Sequence, residues 1–339
     1  MKIPPEQISK IGILRALQLG DLLCSIPAIR ALRKAYPKAE IVLLGLPWAE
    51  KLIHLYPLYF NRFIHFPGYK GLPEQDYNPE AFKNFAEQMR EEKFDLLIQM
   101  QGNGTIVNDF LPLFGAKIMA GFISEKSFKP GGYFMVYPDK KAEWMRHIKL
   151  MQHLEITVDN EKLEFPVSKE NITRLYNHFP ELKGQAFVCI HPGSRGQWRQ
   201  WPPAHFALLG DLCVENGLLV VVTGTENEKD ITSQVIDYMQ YEVVDLTGKT
   251  DLLLLGTLLH EASFLIANCT GVAHIAAAVN TPGVIISMDG EPERWGHPVH
   301  EVIDYTKVSK VDIALQATNK MTETYHKVNR FETEINKAF

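Results

Sequence analysis

Short apolar runs, each bounded by turn residues, recur along both halves of the chain. They cover residues 11–16, 40–45 and 94–100 in the first half, and residues 186–190, 218–224, 263–268 and 283–287 in the second. Each run is continuously hydrophobic rather than alternating, which is typical of strands covered on both faces. The pattern therefore predicts buried strands in both halves.

Amphipathic helical patterns lie between these runs. Examples are "NPEAFKNFAEQMREEK", "PPAHFALLGDLCVENG" and "TDLLLLGTLLHEA", which begin with Asn, Pro or Thr-Asp where a helix cap or first turn is expected. Strands that alternate with helices predict parallel α/β sheets. Because 339 residues exceed the usual size of a single core, two domains are expected.

A more polar stretch at residues 137–185 separates the two halves, and we place the domain boundary within residues 160–183. The predicted domains are an N-terminal Rossmann-like domain at 1–165, a linker at 166–182 and a C-terminal Rossmann-like domain at 183–325. Residues 326–339 are predicted to form a helix that packs back on the N-terminal domain.

The composition, 46% hydrophobic and 22% charged, is that of a globular protein. A net charge of −5 gives no general attraction to nucleic acid, so an anionic ligand must meet a local positive field. The four cysteines form no CxxC pair and indicate a reducing compartment. With no signal peptide and no long apolar run, we expect a cytoplasmic protein, and peripheral contact with the inner face of the cytoplasmic membrane stays open.

The first run leads through a glycine turn into "LGDLLCSIPAIRALRKAYP". Ligands of open α/β sheets gather at the carboxyl ends of strands, so Asp21 is well placed to face a ligand. An aspartate near a helix start also caps the helix and complements its dipole. Both roles remain open for this residue.

The segment "CIHPGSRGQWRQWPPAHF" follows a predicted strand and carries a candidate anion site. Gly193 and Ser194 form a small turn, and Arg195 and Arg199 add positive charge. Backbone N–H groups, a hydroxyl and guanidinium groups suit phosphate oxygens. The alternative is a solvated basic loop.

The segment "LIANCTGVAHIAAAVNTPGVIIS" again predicts a strand, a turn and a helix. Thr270 and Gly271 lie where the helix begins, so their amides would offer donors to an anion. His274, one turn later, is a candidate partner for a phosphate or a ligand hydroxyl. A helical histidine that only stabilises the fold is the alternative.

Other candidate motifs are incomplete. "LTGKT" has Val243 where a P-loop needs glycine, so it is interpreted as a turn before a helix that starts at Asp251. "QGNGTIV" has Val107 in place of the third glycine of a dinucleotide fingerprint. The sequence holds no HExxH, GxSxG or DxD motif, and no metal site is predicted.

Taken together, "LGDLLCSIPAIRALRKAYP", "HPGSRGQWRQWPP", "DLTGKTDLLLLGTLL" and "NCTGVAHIAAAVNTP" resemble glycosyltransferase family 9, the ADP-heptose:lipopolysaccharide heptosyltransferases and their relatives. The resemblance implies a GT-B architecture, in which two Rossmann-like domains face each other across a cleft. It also implies inverting transfer without a metal or cofactor, from a nucleotide-diphosphate sugar, with ADP-sugar favoured, to a glycolipid or oligosaccharide acceptor.

The resemblance further assigns roles to individual residues. Asp21 would be the general base, and Ser194 and Arg199 would bind the donor diphosphate, next to Gly193 and Arg195 of the same candidate anion site. Thr270, Gly271 and His274 would meet the diphosphate and the sugar.

Two positions depart from the family pattern. Cys269 stands where an acidic residue is expected, and it cannot accept hydrogen bonds from sugar hydroxyls as a carboxylate does. Arg199 stands where the family usually has lysine, which changes reach and geometry. Two alternatives therefore stay open: epimerisation or hydrolysis of a sugar nucleotide, and a relative that binds a nucleotide sugar without catalysis.

Overall fold

The computed structural model describes residues 2–125 and 130–307. The chain divides into two compact units, residues 1–162 and 163–339. The helix predicted at 326–339 lies outside the described residues, and the domain limits drawn from the sequence stay predictions.

The first unit is a parallel sheet with helices between its strands. Its strands are β1 (Lys10–Leu14), β2 (Glu40–Gly45), β3 (Arg62–His65), β4 (Leu96–Gln99), β5 (Ile118–Ile123) and β6 (Tyr133–Val136), and its α-helices are α1 (Leu19–Ala35), α2 (Ala49–Ile53), α3 (Pro79–Glu92), α4 (Val107–Phe110) and α5 (Glu143–His153). The strand order is β3-β2-β1-β4-β5-β6, and every pairing is parallel. This is the order of a Rossmann-like sheet, with its switch point between β1 and β4.

The second unit repeats this topology. Its strands are β7 (Phe187–His191), β8 (Leu219–Val222), β9 (Val244–Asp245), β10 (Phe264–Asn268), β11 (Gly283–Ser287) and β12 (His300–Asp304), and its α-helices are α6 (Lys169–His178), α7 (Pro203–Glu215), α8 (Lys229–Tyr238), α9 (Leu252–Glu261), α10 (Gly271–Ala278) and α11 (Pro292–Trp295). The order β12-β11-β10-β7-β8-β9 is parallel throughout and places the switch point between β7 and β10.

All seven strands predicted from apolar runs are present. Their side chains are buried in the two cores, which explains why these runs are continuously hydrophobic. The prediction misses β3, β5, β6, β9 and β12. β9 has only two residues, while β3, β6 and β12 carry partly exposed side chains that weaken the hydrophobic signal.

Helix α6 lies within the stretch predicted as a linker. Ser168 caps its start through a capping box with Asn171. The Tyr176 hydroxyl donates a 2.7 Å hydrogen bond to Glu261 at the end of α9. The helix therefore packs as part of the second unit.

None of the helices within residues 2–125 and 130–307 combines the length and apolarity needed to cross a membrane.

Candidate functional site

The turn between β1 and α1 holds Asp21 in a defined position. Asp21 is the third residue of α1 and forms a capping box with Gln18, whose backbone N–H donates to Asp21 Oδ2 at 3.2 Å. The side chain of Asp21 is 17% exposed, so it retains access to solvent. Its role as a helix cap is confirmed, and its role as a base stays a prediction.

A buried arginine, Arg15, holds the same turn through hydrogen bonds. Arg15 donates from Nε and Nη2 to the carbonyl oxygen of Asp21, at 2.8 and 2.6 Å. It also donates from Nη1 to the carbonyl of Met100, and its Nη2 lies 3.7 Å from Asp21 Oδ1. The guanidinium therefore ties the start of α1 to the end of β4.

Glu143, the first residue of α5, balances this charge. Its Oε1 lies 3.3 Å from Arg15 Nη2, and its Oε2 accepts from Arg146 Nη1 at 2.8 Å and from the Tyr137 hydroxyl at 3.2 Å. All of these charged side chains are at most 4% exposed. Buried charges are tolerated only when they are paired in this way.

His147 lies against the same cluster. Its Nε2 is 3.5 Å from Glu143 Oε1, and its ring meets Phe122 edge to face. Burial lowers the pKa of His147 to about 4, with a further lowering from the positive charge of Arg15. The imidazole is therefore neutral near pH 7.

In the second unit, the loop after β7 holds the first group of predicted anion-binding residues. Gly193 and Ser194 are buried. A Cβ at position 193 would collide with the Glu228 carboxylate, so a larger residue there would require the Glu228 side chain to move. The Ser194 hydroxyl is buried and has no hydrogen-bond partner in the described part of the chain. Arg195 is exposed, so it reaches solvent beside this turn.

Arg199 lies in a short 3-10 helix, Gln197–Arg199, within the same loop. Its Nη2 donates to Asp289 Oδ2 at 2.5 Å, and its guanidinium carbon lies 4.9 Å from the centre of the Trp198 ring. Among the residues with described positions, no atom accepts from its buried Nε.

The start of α10 carries Thr270 and Gly271, which are also predicted to bind an anion. Thr270 is the N-cap residue, yet its hydroxyl makes no capping bond. Its Oγ1 is buried without a partner inside the described ranges. The first amides of α10, beginning with Gly271, carry the partial positive charge of a helix start.

Asn268, the last residue of β10, joins these two loops. Its Oδ1 accepts from the backbone N–H of Trp201 at 2.9 Å, and its Nδ2 donates to the carbonyl of Pro192 at 2.7 Å. Asn268 is fully buried. The loop after β7 and the start of α10 are therefore held together at the switch point of the sheet.

His274 is buried on α10, and its Nδ1 lies 2.7 Å from Nε2 of His297. Burial, with smaller contributions from the charges of His274 and His300, lowers the pKa of His297 to about 2. His274 thus has a structural partner, and its contact with a ligand stays a prediction.

The thiol of Cys269 stands directly before Thr270. Burial, helped by the negative charge of Asp289, raises the pKa of this thiol to about 12. The group is therefore neutral near pH 7, and it cannot replace a carboxylate at this position.

The structure thus brings Ser194, Arg199 and Thr270 to neighbouring strand ends of one unit and places Asp21 at the switch point of the other. Sequence reasoning missed Arg15, Asn268 and Asp289. Each lies at or within two residues of the end of a strand, but each also has at least one partner that is distant along the chain.

The two Rossmann-like units are those of a protein of the GT-B class. The first unit has a carboxylate, Asp21, at its switch point, and the second has hydrogen-bond donors that lack partners among the described residues. The family model of glycosyltransferase family 9 (heptosyltransferase) matches residues 82–330, more than half of the chain. The chain belongs to this family and is a glycosyltransferase.

Individual relatives agree with the family match. The chain is 22% identical to lipooligosaccharide heptosyltransferase 2 of Haemophilus ducreyi, with 83% of each protein covered. It is 24% identical to lipopolysaccharide heptosyltransferase 2 of Escherichia coli, with 90% of this chain and 92% of that protein covered.

Two solved structures share the fold. A family 9 glycosyltransferase from Veillonella parvula has a TM-score of 0.77 at 18% identity and covers 94% of this chain and 96% of that one. The E. coli ADP-heptose lps heptosyltransferase II has a TM-score of 0.75 at 20% identity, with 94% and 99% covered. The predicted fold class is confirmed.

Proposed function

We propose that this protein transfers a heptose or related sugar from an ADP-sugar to a lipopolysaccharide-core or other surface-glycan acceptor, with inversion and without a metal. One observation carries the proposal: Ser194, Arg199 and Thr270 each hold a buried polar atom that lacks a partner among the described residues. The E. coli structure that shares the fold is named as an ADP-heptose enzyme, which favours adenine and heptose in the donor.

In this proposal the second unit holds the donor diphosphate. The amides at the start of α10, the two hydroxyls and the Arg199 guanidinium would bind the phosphate oxygens. Negative charge grows on the diphosphate as its bond to the sugar breaks. Fixed donors of this kind stabilise such a charge without a metal ion.

Asp21 would act as the base in the first unit. The acceptor hydroxyl gives its proton to the Asp21 carboxylate while its oxygen forms a bond to the anomeric carbon. The bond from that carbon to the diphosphate breaks, and its electron pair leaves with ADP. A single displacement of this kind inverts the anomeric centre. A glycolipid acceptor would be met at the inner face of the cytoplasmic membrane.

A thermal-shift panel of ADP, UDP, GDP and their sugars tests the donor first. A ligand that binds the native state stabilises it by RT ln(1 + [L]/Kd), so we expect ADP and ADP-heptose to raise the melting temperature more than the other nucleotides. No shift with any nucleotide would contradict the proposal. Incubation with ADP-heptose and a lipopolysaccharide-core acceptor, with and without EDTA, should then give the same mass increase of one sugar.

Cys269 favours a second candidate, a relative that binds a nucleotide sugar without transferring it. A neutral thiol stands there where the family resemblance leads us to expect a carboxylate. Donor binding with no product across an acceptor panel would support this candidate, whereas one confirmed transfer product would exclude it. Release of free sugar without an acceptor would instead indicate hydrolysis.

A further inference from the structure

A partly buried ion pair, in which the Arg199 side chain is 34% exposed, joins two loops of the second unit. Arg199 Nη2 donates to Asp289 Oδ2 at 2.5 Å, and the Asp289 side chain is only 10% exposed. Oδ1 of the same carboxylate accepts from the hydroxyl of Ser287, the last residue of β11, at 2.9 Å. Both oxygens are therefore engaged, and the carboxylate has a fixed orientation.

This contact restrains Arg199 strongly. One terminal nitrogen of the guanidinium is bound by Asp289, and the indole of Trp198 lies 4.9 Å from its central carbon. The buried Nε has no acceptor in the described parts of the protein. The guanidinium is therefore restrained by Asp289, while its Nε donor has no partner within those parts.

The same carboxylate is close enough to Cys269 to affect it. The charge of Asp289 raises the pKa of the Cys269 thiol, and the charge of Arg199 opposes that change. Cys269 and Ser287 are linked through neighbouring strands, because the Cys269 amide donates to the carbonyl of Ile286 at 2.9 Å. The negative charge that acts on position 269 therefore comes from the loop after β11.

We propose that Asp289 is a positioning residue, which holds Arg199 ready for the donor diphosphate. The inference rests on the proposed function, because it assumes that an anion binds at Arg199. Two effects of Asp289 oppose each other. Its charge repels a diphosphate. Its hydrogen bond already restrains the long Arg199 side chain, so less conformational entropy is lost when the diphosphate binds. Arg199 already neutralises the carboxylate at 2.5 Å, so we expect the positioning effect to be larger.

The test separates charge from geometry with two variants. Asp289→Asn keeps one acceptor oxygen, which can bind Arg199, and its amide nitrogen can donate to the Ser287 hydroxyl, but the charge is lost. Asp289→Ala removes both the charge and the acceptor. Titration calorimetry with ADP should show Asp289→Ala binding about tenfold more weakly than wild type and Asp289→Asn within about threefold of it. Equal or tighter binding by Asp289→Ala would overturn the proposal, because repulsion would then dominate.

A double-mutant cycle shows whether Asp289 acts through Arg199. In an Arg199→Ala background, Asp289→Ala should change ADP affinity less than twofold. A loss as large as in the wild-type background would overturn the proposal, since a general effect on folding would act equally in both. Arg174→Ala is the matched control. It removes another arginine–aspartate pair of this unit, with Asp251 at 2.7 Å, and should leave ADP affinity unchanged.

Failure of the proposed function is distinguishable in the same experiment. If wild type does not bind ADP, the donor assignment is wrong, and inorganic pyrophosphate is titrated into the same variants. The same order of affinities with pyrophosphate would support the role of Asp289 alone. Binding of neither anion by wild type would overturn both proposals.

Discussion

The switch points of the two sheets differ in how completely their polar groups are paired. Around Asp21, the charges of Arg15 and Glu143 are paired by hydrogen bonds and ion pairs inside the first unit, although the two ring nitrogens of the adjacent His147 make no hydrogen bond with the described residues. Around Thr270, three buried polar atoms have no partner within the described residues. An unpaired buried polar group costs about 1–3 kcal/mol. The charged groups of the first site are thus paired within the unit, whereas three polar atoms of the second site would gain partners from the proposed diphosphate.

The largest expected effect concerns Asp21. Asp21→Asn retains an oxygen that can accept from the Gln18 amide, so the helix start should keep its structure. The variant loses the base, and the transfer rate should fall by a factor of about 10²–10⁴ while ADP affinity stays within about twofold. Steady-state rates with ADP-heptose and acceptor, together with calorimetry, measure the two quantities.

Gln18→Ala is the control that separates the cap from the base. It removes the side-chain half of the capping box and should cost about 1 kcal/mol of stability, yet it keeps the carboxylate and should keep most of the activity. If Gln18→Ala lost as much activity as Asp21→Asn, Asp21 would be a structural residue only. Full activity of Asp21→Asn would exclude it as the base.

The next largest effect concerns Arg15, and it tests whether paired buried charges stabilise the first site. Arg15→Met leaves two backbone carbonyls and one oxygen of Glu143 without their partner, and it should lower the free energy of unfolding by about 3–5 kcal/mol. Arg62→Met is the matched control, because Arg62 also binds two carboxylates but is 39% exposed. Its loss should cost about 1 kcal/mol or less in urea unfolding. Similar losses for both variants would contradict the comparison.

The sequence made the second site easier to predict than the first. Gly193, Ser194, Thr270 and Gly271 follow strands whose apolar runs are unmistakable, so their position at a sheet edge follows from topology. The pair Arg15 and Glu143 spans 128 residues, and no local pattern links them.

The same limit applies to the contacts of Asn268 and Asp289. Asn268 bonds to backbone groups of another loop, and Asp289 meets Arg199 ninety positions away along the chain. The sequence indicated a turn before Asp251, and this is confirmed, since Asp251 caps α9 through the Leu254 amide. Local signals of this kind are readable because propensity and capping act within one helical turn.

A third prediction concerns acid and the buried His147. Its pKa is about 4 in the folded protein and 6.5 in the unfolded chain, so unfolding takes up a proton between these values. The contribution of neutral His147 to the free energy of unfolding is therefore fully present above pH 6.5 and declines as the pH falls towards 4. At pH 5 the loss through His147 alone is about 2 kcal/mol.

Urea unfolding of His147→Leu and wild type at pH 7 and pH 5 measures this contribution. The variant should lose about 2 kcal/mol less than wild type between the two pH values, whatever its stability at pH 7. Its charged neighbours Glu143, Arg15 and Arg146 remain in both proteins. An identical pH dependence of the two proteins would show that His147 does not titrate as described. In the second unit, burial likewise lowers the pKa of His300 to about 4, so part of the acid sensitivity should remain.

The smallest expected effect concerns Thr270, and it tests whether the unpaired groups of the second site bind a ligand. Thr270→Val removes a hydroxyl that has no partner in the described structure, so stability should be unchanged or slightly higher, while ADP affinity should fall about tenfold. Thr281→Val is the opposite case, because the Thr281 hydroxyl donates to the carbonyl of Leu259 at 2.6 Å. That variant should lose about 1 kcal/mol of stability and keep its ADP affinity. If Thr270→Val instead lost stability and bound ADP normally, its hydroxyl would serve the fold, and the contrast between the two sites would not hold.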